Sequence, residues 1–235
     1  MNNNLEPNKI VDTIHRLHKR ISERFPDTGL GAVCKQLHTI ATENKRLRSW
    51  IKKPHIMFRV GMIFAIILFL LVLVAGIGVS AVKFSVQEMD FADFLQVLDA
   101  GINTIILLGA ALFFLGTAKT RRKRNRAMTA IHQLRALAHV IDMYQLTKDP
   151  EGGFSNEKKT LSSPRQTTMN AFELTRYLDY CAEMLSLVGK VAALYVQDFD
   201  DPIVLGAVNE VENLTTGLSH KIWQKIMIIY RLKQE

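Results

Sequence analysis

The sequence has few of the residues on which cross-linked and catalytic proteins depend. Its 235 residues include only two cysteines, Cys34 and Cys181, which are too far apart for a CxxC metal or redox motif. We predict that both are free thiols packed among apolar side chains. The phosphate-binding motifs G-x-x-x-x-G-K-[ST] and G-x-G-x-x-G and the nucleophile motif G-x-S-x-G are all missing. We therefore expect no enzymatic activity and no bound cofactor.

Two stretches contain no charged side chain. Residues 60–82 form one continuous apolar run, and a helix of this length reaches about 35 Å, enough to cross the ~30 Å hydrocarbon core of a bilayer. Residues 102–118 form a second run at the short end of the range for a transmembrane helix. Together they predict a helical hairpin in the membrane. Small residues in both runs allow the helices to approach closely, within one chain or between copies.

The distribution of basic residues predicts how this hairpin is oriented. The connector, residues 83–101, has one base, Lys83, against four acidic residues. The flanks of the two runs are basic, and by the positive-inside rule both chain ends are cytoplasmic, in a multi-pass protein of the inner (plasma) membrane. Nine basic residues are predicted to contact anionic headgroups: Lys52, Lys53, Arg59, Lys119, Arg121, Arg122, Lys123, Arg124 and Arg126.

The hairpin divides the chain into three predicted parts. Residues 1–57 form a cytoplasmic arm of two helices, 58–118 the transmembrane hairpin, and 119–235 a cytoplasmic bundle of three long helices. The connector is itself amphipathic, and we expect it to lie along the outer membrane interface. No run of alternating β-branched residues predicts a strand. The predicted fold is thus an all-α membrane protein with an antiparallel cytoplasmic bundle built from its N- and C-terminal helices.

Apolar residues at helical spacing locate the predicted soluble helices and their core faces: Ile10, Ile14, Leu17 and Ile21 in the first, Ile131, Leu134, Leu137, Ala138 and Ile141 in the third, and Val204, Val208, Val211, Leu218, Ile222, Ile226 and Ile229 in the last. We place these helices at about 7–23, 30–50, 119–146, 167–197 and from Pro202 to 232, with a loop at about 149–166. Asp201 is a good N-cap and Pro202 suits the first helical position. The helix after the second span is expected to continue that span without a break. Phe172, Tyr177, Cys181 and Met184 are predicted on the apolar face of the fourth helix, and Tyr180 beside them is also predicted to be core.

One polar cluster stands beside the apolar face of the third helix. His132, Arg135, His139 and Asp142 lie within about 80° on a helical wheel, and we predict a polar network that fixes how the helices pack. A metal site is the alternative, because facing helices of a bundle can supply His and carboxylate ligands. Its candidate ligands are His132, His139, Asp142, Glu183 and Glu210. The Glu-x-x-His spacing that usually marks such sites is missing, so we expect no bound metal.

The basic run at residues 119–126 has two interpretations. Its position directly after a span indicates a contact with the lipid surface. Nucleic-acid binding is not expected, because no aromatic residues stand near it as a stacking platform.

Three functional hypotheses follow. The first is a non-enzymatic membrane anchor whose bundle binds another protein or itself, in an adaptor, scaffold or assembly role. The second is an oligomeric pore or membrane-perturbing effector gated by the bundle, and the third is a bundle that binds a metal or small ligand. The layout of basic helices around a two-span hairpin resembles the two-transmembrane effector modules of bacterial conflict systems, in architecture alone.

Overall fold

The structure, a computed structural model, describes residues 5–26, 28–52, 91–148, 169–197 and 199–233, together with 63, 66 and 67. No strand occurs in these residues, so the prediction of an all-α fold is confirmed. The helices are α1 (Pro7–Arg24), α2 (Gly29–Lys52), α3 (Phe91–Leu146), α4 (Ala171–Val196) and α5 (Pro202–Leu232).

The chain divides into two compact units. The first contains residues 1–52 and 124–235, and the second contains residues 53–123. Helix α3 has residues in both units, because it is continuous from Phe91 to Leu146. The first unit holds the buried apolar residues and is a helical bundle, as predicted.

Helices α1 and α2 form an antiparallel hairpin in the first unit. The buried positions of α1 are Ile10, Ile14, Leu17 and Ile21, the four predicted from helical spacing. Cys34 of α2 is fully buried, with its Sγ 3.8 Å from the carbonyl oxygen of Ile14. The hairpin packs on α4, where the ring of Phe25 meets Tyr177 edge-on at 5.5 Å between centroids.

Helix α4 is the central helix of the bundle. It begins with a capping box: the Asn170 side chain accepts from the backbone N–H of Glu173, whose carboxylate accepts from the N–H of Asn170. Tyr177, Tyr180, Cys181 and Met184 are all buried, as predicted. The prediction for Phe172 was wrong. Its side chain is 61% exposed, because it lies in the first turn of α4, before the first buried position, Leu174.

Helices α3 and α5 run in the same direction. Three contacts succeed one another along both: Arg124 with Asp201, Arg135 with Glu210, and the carbonyl of Gln145 with Lys225. This follows from two chain reversals, one on each side of α4. Helix α4 is thus antiparallel to both α3 and α5, as predicted for helices adjacent in sequence, whereas α3 and α5 are parallel to each other. The predicted core positions Ile131, Leu134, Leu137, Ala138 and Ile141 of α3 are all buried.

The second unit contains the apolar part of α3. One helix of the described residues, within Asp99–Leu146, is long and apolar enough to cross a membrane by length and composition, and no residue of its most apolar stretch is buried. Residues 91–101 belong to the same continuous helix. The helix therefore runs without a break from the end of the predicted connector into the predicted second span, and the position of the connector at the membrane interface stays a prediction. A single glycine, Gly101, does not interrupt the helix, and the Thr104 hydroxyl donates to the Ala100 carbonyl across this point.

Several predictions lie outside the described residues. The first predicted span, 60–82, is described only at residues 63, 66 and 67, and the loop at 149–166 is not described. The two-span hairpin therefore stays a prediction.

Candidate interaction surfaces

Asp201 joins the start of α5 to α3. One carboxylate oxygen, Oδ1, accepts hydrogen bonds from the backbone N–H groups of Ile203 at 3.0 Å and Val204 at 3.2 Å. The other, Oδ2, accepts from Nε of Arg124 at 2.8 Å. The predicted N-cap is thus confirmed. Because the Asp201 side chain is only 3% exposed, its hydrogen bonds are protected from competition with water.

The charge of Asp201 is stabilised despite its burial. Removal from water favours the neutral acid, but the hydrogen bonds from Arg124 and from the backbone of Val204 and Ile203 favour the carboxylate more. The pKa of Asp201 consequently lies below its ordinary value. The first turn of α5 supplies two of these donors. Accepting such hydrogen bonds is the usual role of an acidic residue at a helix start.

This pairing changes the expectation for one basic residue after the second span. Arg124 was predicted to contact headgroups, and this stays a prediction, but its guanidinium also pairs with Asp201 of the bundle. Arg121, Arg122 and Arg126 are exposed, and Lys123 is half-buried. The structure does not describe the side chains of the remaining predicted residues, Lys52, Lys53, Arg59 and Lys119.

A shallow groove runs between α3 and α5 next to this junction. Its lining includes His132 and Arg135 on one side and Ile203, Gly206 and Glu210 on the other. Nη1 of Arg135 lies 3.0 Å from Oε2 of Glu210, and both side chains are at least half exposed. Solvent screens such a pair, so it contributes little to stability. The groove therefore offers an apolar floor with a charged rim that a partner could reach.

The four residues of the predicted polar network have different surroundings. Arg135 pairs with Glu210, whereas the Asp142 carboxylate accepts from Nε2 of Gln145 at 2.6 Å. His132 lines the groove, and His139 is exposed. Arg135 thus links two helices, whereas Asp142 accepts a hydrogen bond from a residue of its own helix.

The metal-ligand candidates are divided between separate contacts. Glu183 pairs with Arg20 of α1 at 2.6 Å, while Glu210 pairs with Arg135. In the described part of the chain, no three His, Cys, Asp or Glu side chains lie close enough together to hold a metal ion.

A cationic and aromatic face on α1 and α4 was not predicted from sequence. The guanidinium carbons of Arg24 and Arg176 lie 5.5 and 5.7 Å from the ring centroid of Phe172. Arg20 lies 5.6 Å from the ring centroid of Tyr180. The spacing of Phe172 and Arg176, four residues apart on one helix, was a usable signal. The contribution of Arg24 depends on the packing of α1 on α4, which sequence spacing does not show.

A second unpredicted surface lies on α5. Trp223, Met227 and Tyr230, here called the outer stripe, are each more than half exposed. Their spacing of four and three residues places them on one helical face, away from the buried positions of α5. Aromatic residues and methionine are enriched at protein interfaces. Helical spacing alone could have identified this stripe, because it forms a second apolar face on a helix that already has a core face.

Comparison with known proteins gives no relative: no family model, curated protein or solved structure matches this chain.

Proposed function

We propose that this protein is an integral membrane protein of the inner (plasma) membrane whose cytoplasmic helical bundle binds another protein or a second copy of itself. In this role it acts as an adaptor, scaffold or assembly factor, and it catalyses no reaction.

One property of α3 carries the proposal. Within the second unit its apolar side chains are exposed, with Phe113 at 76% and Phe114 at 72%. Within the first unit the same helix contributes buried residues such as Leu134 and Ile141 to a packed core. A contiguous exposed apolar surface of this kind is unfavourable in water and favourable in lipid. The helix is thus suited to anchor a bundle whose core is already complete.

The surface of the bundle supports a protein-binding role. The outer stripe exposes two aromatic rings and a methionine, which do not belong to the buried core of the bundle. The ion pairs at Arg135–Glu210 and Arg20–Glu183 are likewise on the surface, where they can exchange partners. These features favour binding over catalysis, which needs reactive groups held in a sheltered site.

The apolar segment favours an anchor over a pore. The Thr104 and Thr117 hydroxyls donate to the carbonyls of Ala100 and Phe113 in their own helix. Hydroxyls used in this way are less available to line an aqueous path, and residues 102–118 contain no ionisable side chain. A pore formed by several copies is the competing proposal.

Crosslinking in native membranes tests the proposed function. A photoactivatable residue at Trp223 or Met227 should yield a discrete crosslinked species that stays in the membrane fraction after alkaline extraction. The matched control is the same residue at Asn213, an exposed polar position of α5, which should yield much less. Equal crosslinking at both positions, or a monomer without any partner, would contradict the protein-binding role.

Two further results would contradict the rest of the proposal. Release of the full-length chain by alkaline extraction would contradict the membrane anchor. Ion or dye flux from liposomes containing the purified protein would instead support the pore.

A further inference from the structure

Three of the seven histidines of the chain lie together on the α1–α2 hairpin. His15 and His18 are three residues apart on α1, so they share one helical face, and His38 stands opposite them on α2. The ring centroids of His15 and His38 are 5.6 Å apart, with the ring planes tilted by 53°. We call these three residues the histidine cluster.

The groups around His18 are all basic or titratable to a positive charge. Burial contributes most to lowering the pKa of His18, followed by His15, His38 and Lys35. Lys35 and His38 belong to α2, three residues apart. From α4, which also packs on α1, Glu183 faces α1 and is paired with Arg20. No carboxylate is among the described groups that shift the pKa of His18.

We propose that the α1–α2 hairpin is a pH-sensitive latch, in which a proton gained by His18, packed beside His15, His38 and Lys35, loosens the hairpin. The physical cause is that a charge on His18 is partly removed from water and lies beside basic groups of the facing helix, Lys35 among them. This regulation goes beyond the proposed binding role and does not depend on it.

The direction of the pH dependence follows from linkage. A histidine whose pKa is lower in the folded protein binds a proton more readily once the hairpin opens. The closed hairpin is therefore most stable above the ordinary histidine pKa of about 6.5 and loses stability as the pH falls below it.

The hairpin covers groups that report on its opening. Cys34 is buried between α1 and α2, and burial raises the pKa of its thiol to about 12; Arg20 lowers this pKa slightly and Glu183 raises it slightly. A thiol in this state reacts slowly until the hairpin opens. Cys181 of α4 is also fully buried and serves as a second thiol, which reports on opening elsewhere in the bundle.

The test measures labelling of Cys34 in the full-length protein in lipid nanodiscs. A pyridyl disulfide reagent is applied at pH 7.5 and pH 5.5, and mass spectrometry separates the Cys34 and Cys181 peptides. Each rate is divided by that of the denatured chain at the same pH, which removes the intrinsic pH dependence of the thiol reaction. We expect the normalised rate of Cys34 to rise on acidification.

Substitutions then assign this rise to the histidine cluster. His18→Gln and His38→Gln should reduce it, whereas His220→Gln, which removes an exposed histidine from α5, should leave it unchanged. Lys35→Gln retains all three histidines and should also reduce the rise, so the proposal stays testable if a histidine variant fails to fold. The absence of a rise in the parent chain would overturn the latch. An equal rise in His18→Gln, His38→Gln and the control His220→Gln would also overturn the latch.

Discussion

Nε of Arg124 lies 2.8 Å from Oδ2 of Asp201 and joins the last part of the basic run to the first turn of α5. The pair is more protected than the other interhelical ion pairs of the bundle that the structure describes, with the Arg124 side chain 32% exposed and that of Asp201 3% exposed. A nearly buried carboxylate that also caps a helix is costly to replace, because a side chain without its oxygens leaves donors without an acceptor. This relationship gives the first two predictions.

Asp201→Ala should destabilise the bundle more than Asp201→Asn. Alanine loses the helix cap, which costs about 1 kcal/mol, and also leaves the Arg124 guanidinium without its partner. Asparagine caps helices about as well as aspartate and loses mainly the charge. Thermal unfolding followed by circular dichroism in detergent measures the difference. Asp200→Ala, at the exposed neighbouring position, is the matched control, and an equal loss there would refute the role assigned to Asp201.

The stability that Asp201 contributes should disappear in acid. Because its pKa is lower in the folded protein than the ordinary value of 3.8, its contribution is complete above that value. It is lost as the pH falls through the lower folded pKa. The difference in unfolding free energy between the parent chain and Asp201→Asn should therefore be constant from about pH 5 to pH 7 and shrink below about pH 4. A difference that grows in acid would contradict the lowered pKa.

Gly189 marks a close approach of α4 to α5. A Cβ atom added there would lie 3.3 Å from Oγ1 of Thr215 and 3.9 Å from Cγ of Glu212. Gly189→Leu should destabilise the bundle by about 1–3 kcal/mol, because overpacking displaces neighbouring groups. Gly217→Leu is the control, since a Cβ atom at Gly217 meets nothing within 4 Å. Urea unfolding in detergent distinguishes the two, and equal midpoints would argue against the close approach.

Helical spacing predicted most of the buried faces because each bundle helix has one apolar stripe. Ile14 on α1, Leu134 on α3 and Val208 on α5 were all predicted at positions that are buried. The prediction failed at Phe172, since periodicity marks a side of a helix but does not show how far along the helix its neighbours extend. The end of the core is set by tertiary packing.

The candidate surfaces could be predicted only where a single helix defines them. The polar residues His132 and Arg135 were identified because both lie on α3, but the partner of Arg135 depended on the parallel arrangement of α3 and α5. Arg124 shows the same limit. Its position after an apolar run indicated the membrane surface, whereas its actual partner, Asp201, is 77 residues away in sequence.

The apolar part of α3 gives the last prediction, which concerns the membrane anchor. Phe113→Arg places a charge at an exposed position of the apolar segment, where insertion into a bilayer would cost about 2.5–3.5 kcal/mol at the centre of a span. We expect this variant to insert less efficiently, as measured by the fraction that resists alkaline extraction from membranes. Ala136→Arg is the matched control, because Ala136 is exposed on the part of α3 that belongs to the bundle. If Phe113→Arg and Ala136→Arg remain equally membrane-bound, residues 102–118 do not anchor the chain. The exposed phenylalanines would then have to be explained as a protein-binding surface, because water alone does not stabilise so large an apolar area.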